Sequence, residues 1–199
     1  GEPPRGEGDR ARFERQRAVI AERDQRAEHA GVEQSRGLQV RPGGLGDGQE
    51  ALGGHRVPGV GGDCALGGLG PDGDAWKVGV ENPDGGDTPV AVLQITDNGC
   101  ATSSLRKRAW HLDGRPVHHL VDPRTGWSAV GGLRSVTVIH PDTAQAEVWS
   151  KSLLIAGIDD VARWAAERDL AALWVGDDGR LGASTAIRPW LIWTAQDVD

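Results

Sequence analysis

The chain has 199 residues, a formal net charge of −7 and a hydrophobic share of 38%. An acidic chain without clustered Lys and Arg lacks the electrostatic footprint of a nucleic-acid-binding protein, so we expect no nucleic-acid partner. No run of residues approaches the ~18 apolar positions of a membrane span, and no signal peptide is visible. Glycine is abundant, with 30 residues, which indicates that part of the chain adds little to a core.

Residues 1–58 differ in composition from the rest of the chain. They contain no Trp, whereas all eight Trp lie between Trp76 and Trp193. The best helix candidate, 11–30, has no continuous apolar stripe at helical spacing. The Gly-rich stretch 36–62 is typical of loop or disorder. We therefore predict that 1–58 is disordered or non-native sequence and that 59–199 forms the folded domain.

Strand patterns begin after residue 59, where apolar and polar residues alternate. This alternation occurs in three stretches: Trp76–Val80, 90–95 and 133–139. Asp97-Asn98-Gly99 is a turn signal between strands. The two cysteines, Cys64 and Cys100, are too few for a disulfide framework and lack metal-ligand spacing. Two buried thiols are the favoured interpretation, and one isolated disulfide stays open.

Two helices are predicted after these strands. Asp142 or Thr143 is a suitable N-cap for the first helix, which ends before Gly157. Asp159-Asp160 is predicted to cap a second helix over 161–168.

The end of the chain returns to strand patterns. Residues 170–175 and 180–184 flank Asp177-Asp178-Gly179 and predict a hairpin, and 190–194 predicts a last strand. Strands and helices are interleaved without a regular βαβ rhythm. The predicted fold class is therefore α+β, with mixed or antiparallel sheets, packed helices and an irregular N-terminal part.

The densest group of reactive side chains is His-His-Leu-Val-Asp-Pro-Arg-Thr-Gly at 118–126. Asp122 is held extended by the proline after it, and the Thr-Gly pair permits a tight turn with exposed backbone N–H groups. Such a turn can hold a phosphate, for which Arg124 is a bidentate donor. Local chemistry alone favours the alternative, a loop in which Asp122 and Thr125 cap their own backbone.

Two further groups of residues are candidates. Glu147 and Lys151 share one face of the first predicted helix, where the carboxylate could hold Mg²⁺. An ordinary solvent-facing ion pair is the favoured alternative. Ala-Thr-Ser-Ser at 101–104 precedes the basic run 106–108 and could contact phosphate or ribose. A strand end followed by a solvated turn is favoured there.

Together these segments resemble the FAD:protein FMN transferases of the ApbE family. The resemblance rests on Ala-Thr-Ser at 101–103 with the basic stretch after it, on the 118–126 motif, and on the strand and helix that follow in the family's order. Upstream, Gly-Gly-Asp at 61–63 and Trp-Lys-Val-Gly-Val-Glu-Asn-Pro at 76–83 are similar to two of the family's strands. The Asp-Pro-Arg-Thr-Gly segment is the most specific part.

The resemblance implies an ApbE-like, T-fold-related fold and a transferase that moves FMN from FAD to a threonine of an acceptor protein, releasing AMP. FAD is then the substrate, Mg²⁺ the metal on its pyrophosphate, and a flavin-acceptor protein the partner. It assigns no catalytic residue. The implied FAD site comprises Ala101, Thr102, Ser103, His119, Leu120, Asp122, Arg124 and Thr125.

Two departures from the family bear on activity. The family's metal site uses an Asp and, four residues later, a Thr. The matching residues here are Glu147, which can bind Mg²⁺, and Lys151, which cannot. A Mg²⁺-free site in which Lys151 faces phosphate is therefore a second hypothesis. The family's upstream Lys-Gly segment has no counterpart in 1–58, and loss of that half of the FAD site would leave the chain inactive.

Three other functions compete with this interpretation. A non-catalytic FAD or nucleotide binder would keep the phosphate loop and lack the metal, which Lys151 favours. A Ser–His–Asp hydrolase from Ser103, His119 and Asp122 would lack the nucleophile-elbow motif. In a metal hydrolase, adjacent histidines on a strand would point to opposite faces and rarely bind one ion. Its candidate ligands are His111, His118, His119 and His140.

Overall fold

The computed structural model describes residues 38–41, 59–60, 63–70, 72–106 and 109–198. These residues form two compact units. The smaller unit contains residues 109–129, and the larger unit contains the other described residues. Both α-helices belong to the larger unit.

A six-stranded sheet forms the centre of the larger unit, and every pair of neighbouring strands is antiparallel. Its strands are β2 (Gly59–Val60), β3 (Asp63–Leu66), β6 (Asn98–Ser104), β11 (Leu133–His140), β12 (Ala171–Gly176) and β13 (Leu181–Ala183). Their order across the sheet is β13-β12-β11-β6-β3-β2. Most side chains of β6 and β11 are buried, because this central pair is covered on both faces.

The larger unit also contains a four-stranded antiparallel sheet. Its strands are β1 (Leu38–Arg41), β4 (Trp76–Val80), β5 (Ala91–Ile95) and β14 (Leu191–Thr194), in the order β1-β4-β5-β14. Buried and half-buried side chains alternate along β4 and β5, as in strands with one face on a core.

Side chains from both sheets form one hydrophobic cluster. Trp76, Leu93 and Ile95 from β4 and β5 share it with Cys64 and Cys100. The two cysteines are directly opposed in the β3–β6 ladder and are free, buried thiols. A hydrogen bond between them, together with burial, raises the pKa of the Cys100 thiol. The favoured prediction of two buried thiols is confirmed.

Two helices, α1 (Thr143–Ala156) and α2 (Ile158–Glu167), follow β11. Helix α1 packs against β6 and β11. The Asp142 carboxylate caps it by accepting a 2.8 Å hydrogen bond from the backbone N–H two residues later. A Cβ at Gly99 would lie 2.5 Å from the Cα of Thr143, so this glycine allows the helix to start directly on the strand. No helix in the described ranges is long and apolar enough to cross a membrane.

The smaller unit consists of two short hairpins. Strand β7 (Ala109–Leu112) pairs with β8 (Arg115–His118), and β9 (Val121–Asp122) pairs with β10 (Trp127–Ser128). The β7–β8 hairpin was not predicted, because its strands carry no clear apolar alternation. Its turn, Asp113-Gly114, has positive φ at both residues, and this Asp-Gly signal could have identified it.

The α+β prediction is confirmed, with antiparallel sheets and packed helices. The strand predicted at 90–95 is Ala91–Ile95, and that predicted at 133–139 is Leu133–His140. The hairpin predicted around Asp177-Asp178-Gly179 is β12–β13. The first helix ends at Ala156, with Gly157 after it as predicted.

Two predicted boundaries were wrong. The second helix begins at Ile158, and its N-cap is Gly157 instead of Asp159-Asp160. With φ of 87°, Gly157 turns the chain from one helix directly into the next. The two aspartates lie inside the first turn, where the helix dipole favours them. The last strand begins at Leu191, because 185–190 form a 3₁₀ helix.

Most of residues 1–58 lie outside the described part of the chain. The helix candidate at 11–30 lies there entirely, so the prediction for 1–58 as a whole stays a prediction. Within the stretch predicted as loop, Leu38–Arg41 instead forms a strand paired with β4. Pairing along β4 supplies the backbone hydrogen bonds of these residues, and the local sequence carries no signal for such long-range pairing.

Candidate functional site

The 122–126 turn joins β9 to β10 and is closed by its own hydrogen bonds. The backbone N–H groups of Gly126 and Thr125 donate to the carbonyl of Asp122 at 2.7 and 3.2 Å. The hydroxyl of Thr125 accepts from the N–H of Trp127 at 3.1 Å. Gly126 has φ of 73°, a conformation that favours glycine. The backbone therefore adopts the self-capping loop considered as the alternative.

Within this turn Asp122 and Arg124 form a multiply bonded ion pair. The Nε of Arg124 donates to both carboxylate oxygens at 3.0 and 3.1 Å, and its Nη2 donates at 2.9 Å. The side-chain hydrogen bonds from Arg124 hold the pKa of the Asp122 carboxyl below its usual value. The side chain of Asp122 is 10% exposed and that of Arg124 is 66% exposed. The carboxylate thus orients a guanidinium on a side chain that is two-thirds exposed to solvent.

His118 was not among the predicted FAD-site residues, but it is fixed at the base of this turn. Its backbone N–H donates to Ser128 Oγ at 2.8 Å, and Ser128 Oγ donates to the His118 carbonyl at 2.7 Å. Its Nε2 lies 2.8 Å from the carbonyl of Ala129 and must donate, because a carbonyl only accepts. Burial lowers the pKa of His118, so its imidazole is neutral at neutral pH.

The remaining predicted residues of this stretch lie beside His118. His119 is half-buried and Leu120 is buried. The Leu120 carbonyl accepts a 2.9 Å hydrogen bond from the N–H of Ala129, which closes the chain around the 122–126 turn. Five predicted residues therefore lie together in the smaller unit: His119, Leu120, Asp122, Arg124 and Thr125.

The other three predicted FAD-site residues lie on β6 in the larger unit. Ala101 is fully buried. The hydroxyl of Thr102 lies 2.8 Å from that of Thr137 on β11. Ser150 Oγ donates to the carbonyl of Glu147, so Ser103 is the donor in the 2.8 Å bond between Ser103 Oγ and Ser150 Oγ. The Thr102 hydroxyl thus links β6 to β11, and the Ser103 hydroxyl links β6 to helix α1.

The basic run after β6 is described only at its first residue. Arg106 donates to the Glu81 carboxylate at 2.8 Å, and Lys107 and Arg108 lie outside the described residues. Arg106 lies two residues after Ser104, the last residue of the strand. This matches the favoured alternative of a strand end followed by a turn.

The predicted metal residue, Glu147, is paired with Lys151 one turn later on α1. Asp63, at the start of β3, is near both charges: burial raises the pKa of its carboxyl, Glu147 raises it further and Lys151 lowers it. The described ranges hold no group of three or more His, Cys, Asp or Glu side chains arranged to bind a metal.

Sequence comparison assigns this arrangement to a family. Residues 57–174 match the sequence model of the ApbE family. The chain belongs to the ApbE family. The FAD:protein FMN transferase of Klebsiella pneumoniae is 30% identical over 131 residues, which cover 65% of this chain and 37% of that protein. The FAD:protein FMN transferase of Escherichia coli K12 is 31% identical over 121 residues, covering 60% and 34%.

Solved structures of ApbE proteins match the fold. The ApbE protein of Thermotoga maritima superimposes with a TM-score of 0.58 at 28% identity, covering 64% of this chain and 42% of that one. The flavin transferase ApbE of Vibrio cholerae gives 0.57 at 26% identity, covering 66% and 43%. The chain thus spans less than half the length of these relatives.

Proposed function

We propose that this ApbE-family chain transfers FMN from FAD to a threonine hydroxyl of an acceptor protein. The observation that carries the proposal is the Asp122–Arg124 pair, which holds an exposed guanidinium within the stretch matching the family. A guanidinium fixed by a carboxylate is suited to bind one of the phosphates of FAD. The likeness to named FAD:protein FMN transferases supports the same reaction.

The reaction is a phosphoryl transfer. The threonine oxygen attacks the phosphorus of the FMN half of FAD, a new P–O bond forms, and the P–O bond to AMP breaks. AMP leaves with the bonding electron pair, and the threonine loses its proton. Arg124 would stabilise the charge on the phosphate oxygens in the transition state.

A base must accept the threonine proton. An imidazole suits this task near neutral pH, and His119 is the imidazole among the implied FAD-site residues. His118 suits it less, because it is buried and its Nε2 proton is bound to Ala129. We expect His119→Gln to lower the transfer rate by about 10²–10⁴-fold with little change in FAD affinity. Single-turnover kinetics and FAD titration measure both, with His111→Gln on exposed β7 as the matched control.

Mg²⁺ does not fit the residues at the family's metal position. Glu147 is bound by the Lys151 ammonium, and a second positive charge beside that ammonium would be repelled. No step is therefore assigned to the metal.

Transfer is tested with the chain, FAD and the acceptor protein of one of the matched transferases. We expect FMN on the acceptor, seen by mass spectrometry, and an equal amount of AMP. An acceptor with its threonine replaced by alanine is the control. An absence of both FMN-acceptor product and AMP would contradict the transferase.

A non-catalytic FAD or nucleotide binder is the second candidate. The Glu147–Lys151 pair favours it, because a site closed to the metal keeps phosphate binding and lacks metal assistance. Bound FAD without covalent product, in the same assay, would support the binder. Failure to bind FAD would contradict both candidates.

A further inference from the structure

Three charged side chains from two elements form a cluster in the larger unit: Asp63, Glu147 and Lys151, here the 63–147–151 cluster. The Lys151 ammonium is bound to the Glu147 carboxylate. Asp63 is half-buried: burial raises the pKa of its carboxyl, the Glu147 carboxylate raises it further and the Lys151 ammonium lowers it. One ammonium thus lies in the field of two carboxylates.

The helical turn that carries this cluster is anchored to the sheet. Ser150, the residue before Lys151, is fully buried and shares a 2.8 Å hydrogen bond with Ser103 on β6. Ser150 also donates to the carbonyl of Glu147 at 2.9 Å. An exposed ion pair on a mobile surface contributes little free energy. Here the helical turn that carries both partners is fixed against β6, so the pair is held in place.

A divalent cation at this cluster would compete with the Lys151 ammonium for the Glu147 carboxylate. Mg²⁺ needs oxygen ligands close to 2.0–2.1 Å, at roughly octahedral positions, and Oε1 of Glu147 is bound by the Lys151 ammonium. The ammonium also offsets the charge of Glu147, so the attraction of this carboxylate for a divalent ion is weaker than that of a free carboxylate.

We propose that Lys151 is the resident cation of the 63–147–151 cluster and excludes divalent metal from it. A phosphate ligand that reaches this cluster then meets the ammonium, and its binding needs no Mg²⁺. The exclusion of divalent metal follows from the cluster alone, whereas the binding of phosphate without Mg²⁺ rests on the proposed function.

The exclusion of metal is tested by titrating the protein with Mn²⁺, an oxygen-seeking stand-in for Mg²⁺, followed by electron paramagnetic resonance. We expect no saturable site in the wild type or in Lys151→Arg, which keeps the charge. Lys151→Thr should bind Mn²⁺ at a saturable site, at least about tenfold more tightly than the wild type binds it. Lys151→Gln is a second neutral variant in case threonine disturbs the helix, and adding Glu147→Gln should abolish the gained site.

Two outcomes would contradict the exclusion of metal by Lys151. One is a wild-type Mn²⁺ site as tight as that of Lys151→Thr. The other is a failure of both neutral variants, folded by circular dichroism, to gain a site, since the lysine would then not be what excludes the metal.

The binding of phosphate without Mg²⁺ is tested by FAD titration in EDTA and in Mg²⁺. The wild type should bind equally in both, and Lys151→Thr should weaken about tenfold in EDTA and recover with Mg²⁺. A strong Mg²⁺ requirement in the wild type would overturn this part of the proposal. If no variant binds FAD, the proposed function fails, while the Mn²⁺ titration still tests the exclusion of metal.

Discussion

Arg124 reaches solvent because Asp122, two residues earlier, binds one side of its guanidinium. A long cationic side chain normally loses rotamer freedom when it binds an anion. The Asp122 carboxylate removes part of that cost in advance, so the exposed edge of the guanidinium is oriented before a ligand arrives.

Replacing Arg124 by Gln should lower FAD affinity by about tenfold, because one charge-assisted contact to phosphate is lost. The free energy of unfolding should also fall, because the Asp122 side chain is only 10% exposed and loses its guanidinium partner, so FAD affinity is measured well below the unfolding transition. Arg180→Gln is a matched control, because Arg180 also pairs with an aspartate two residues earlier, in a hairpin turn. Equal FAD affinity in Arg124→Gln and the wild type would contradict the assigned contact.

His118 makes stability depend on pH. Burial lowers its pKa in the folded state, so the unfolded chain binds a proton more readily. The stabilisation is therefore complete above the ordinary histidine pKa of about 6.5 and is lost as pH falls through the lowered folded value. Denaturant unfolding between pH 8 and about pH 5 should show this loss, and His118→Gln, which keeps a donor toward Ala129, should reduce it. If the stability of His118→Gln fell over this pH range as much as that of the wild type, His118 would not be the origin of the pH dependence.

At the scale of elements, the contact of α1 with β6 positions several candidate residues. Ser103 bonds Ser150 across this contact, and Gly99 lies under the first residue of the helix. Ala101 and Ser103 face inward on the same strand and are buried. The helix and the candidate strand residues are thus held as one rigid piece.

Gly99→Ala should destabilise the larger unit by about 1–3 kcal/mol, because an added Cβ would overlap Thr143 and force helix and strand apart. The measurement is the denaturant midpoint of unfolding. Gly67→Ala is the control, since a Cβ there meets nothing within 4 Å and its φ is not in the left-handed region. Similar midpoints for the two variants would show that the contact tolerates a methyl group.

At the scale of the whole molecule, the described core is built from both large sheets, and one strand from the first 58 residues pairs with the four-stranded sheet. Leu38–Arg41 pairs with β4 over four residues. The prediction that 1–58 is disordered or non-native concerns residues that lie mostly outside the described ranges. A single paired strand does not decide it.

Amide hydrogen exchange tests that prediction directly. Amides of 11–30 should exchange at coil rates, because the stretch has no apolar stripe to bury. Amides of β11, in the centre of the six-stranded sheet, should exchange slowly and serve as the internal reference. Slow exchange across 11–30 would contradict the prediction.

Local features of the sequence were enough for much of the fold and part of the site. Alternation at Trp76–Val80 and the cap at Asp142 depend on neighbours in the chain, so both were predicted correctly. The start of the second helix was misplaced, because the left-handed Gly157 replaced the aspartate cap. The 118–126 motif was predicted as a candidate site from the sequence. The burial of His118 and its hydrogen bonds to Ser128 and Ala129 were not predicted.

The sequence by itself determined the α+β class, the family resemblance and the identity of the reactive side chains, because periodicity, caps and motifs are properties of neighbouring residues. Only the tertiary structure decided which distant groups meet. Cys64 opposes Cys100, Ser103 bonds Ser150, and Asp63 lies near the Glu147–Lys151 pair. Strand order and helix placement set these contacts, and they arise from burial summed over the whole core, which no local stretch encodes.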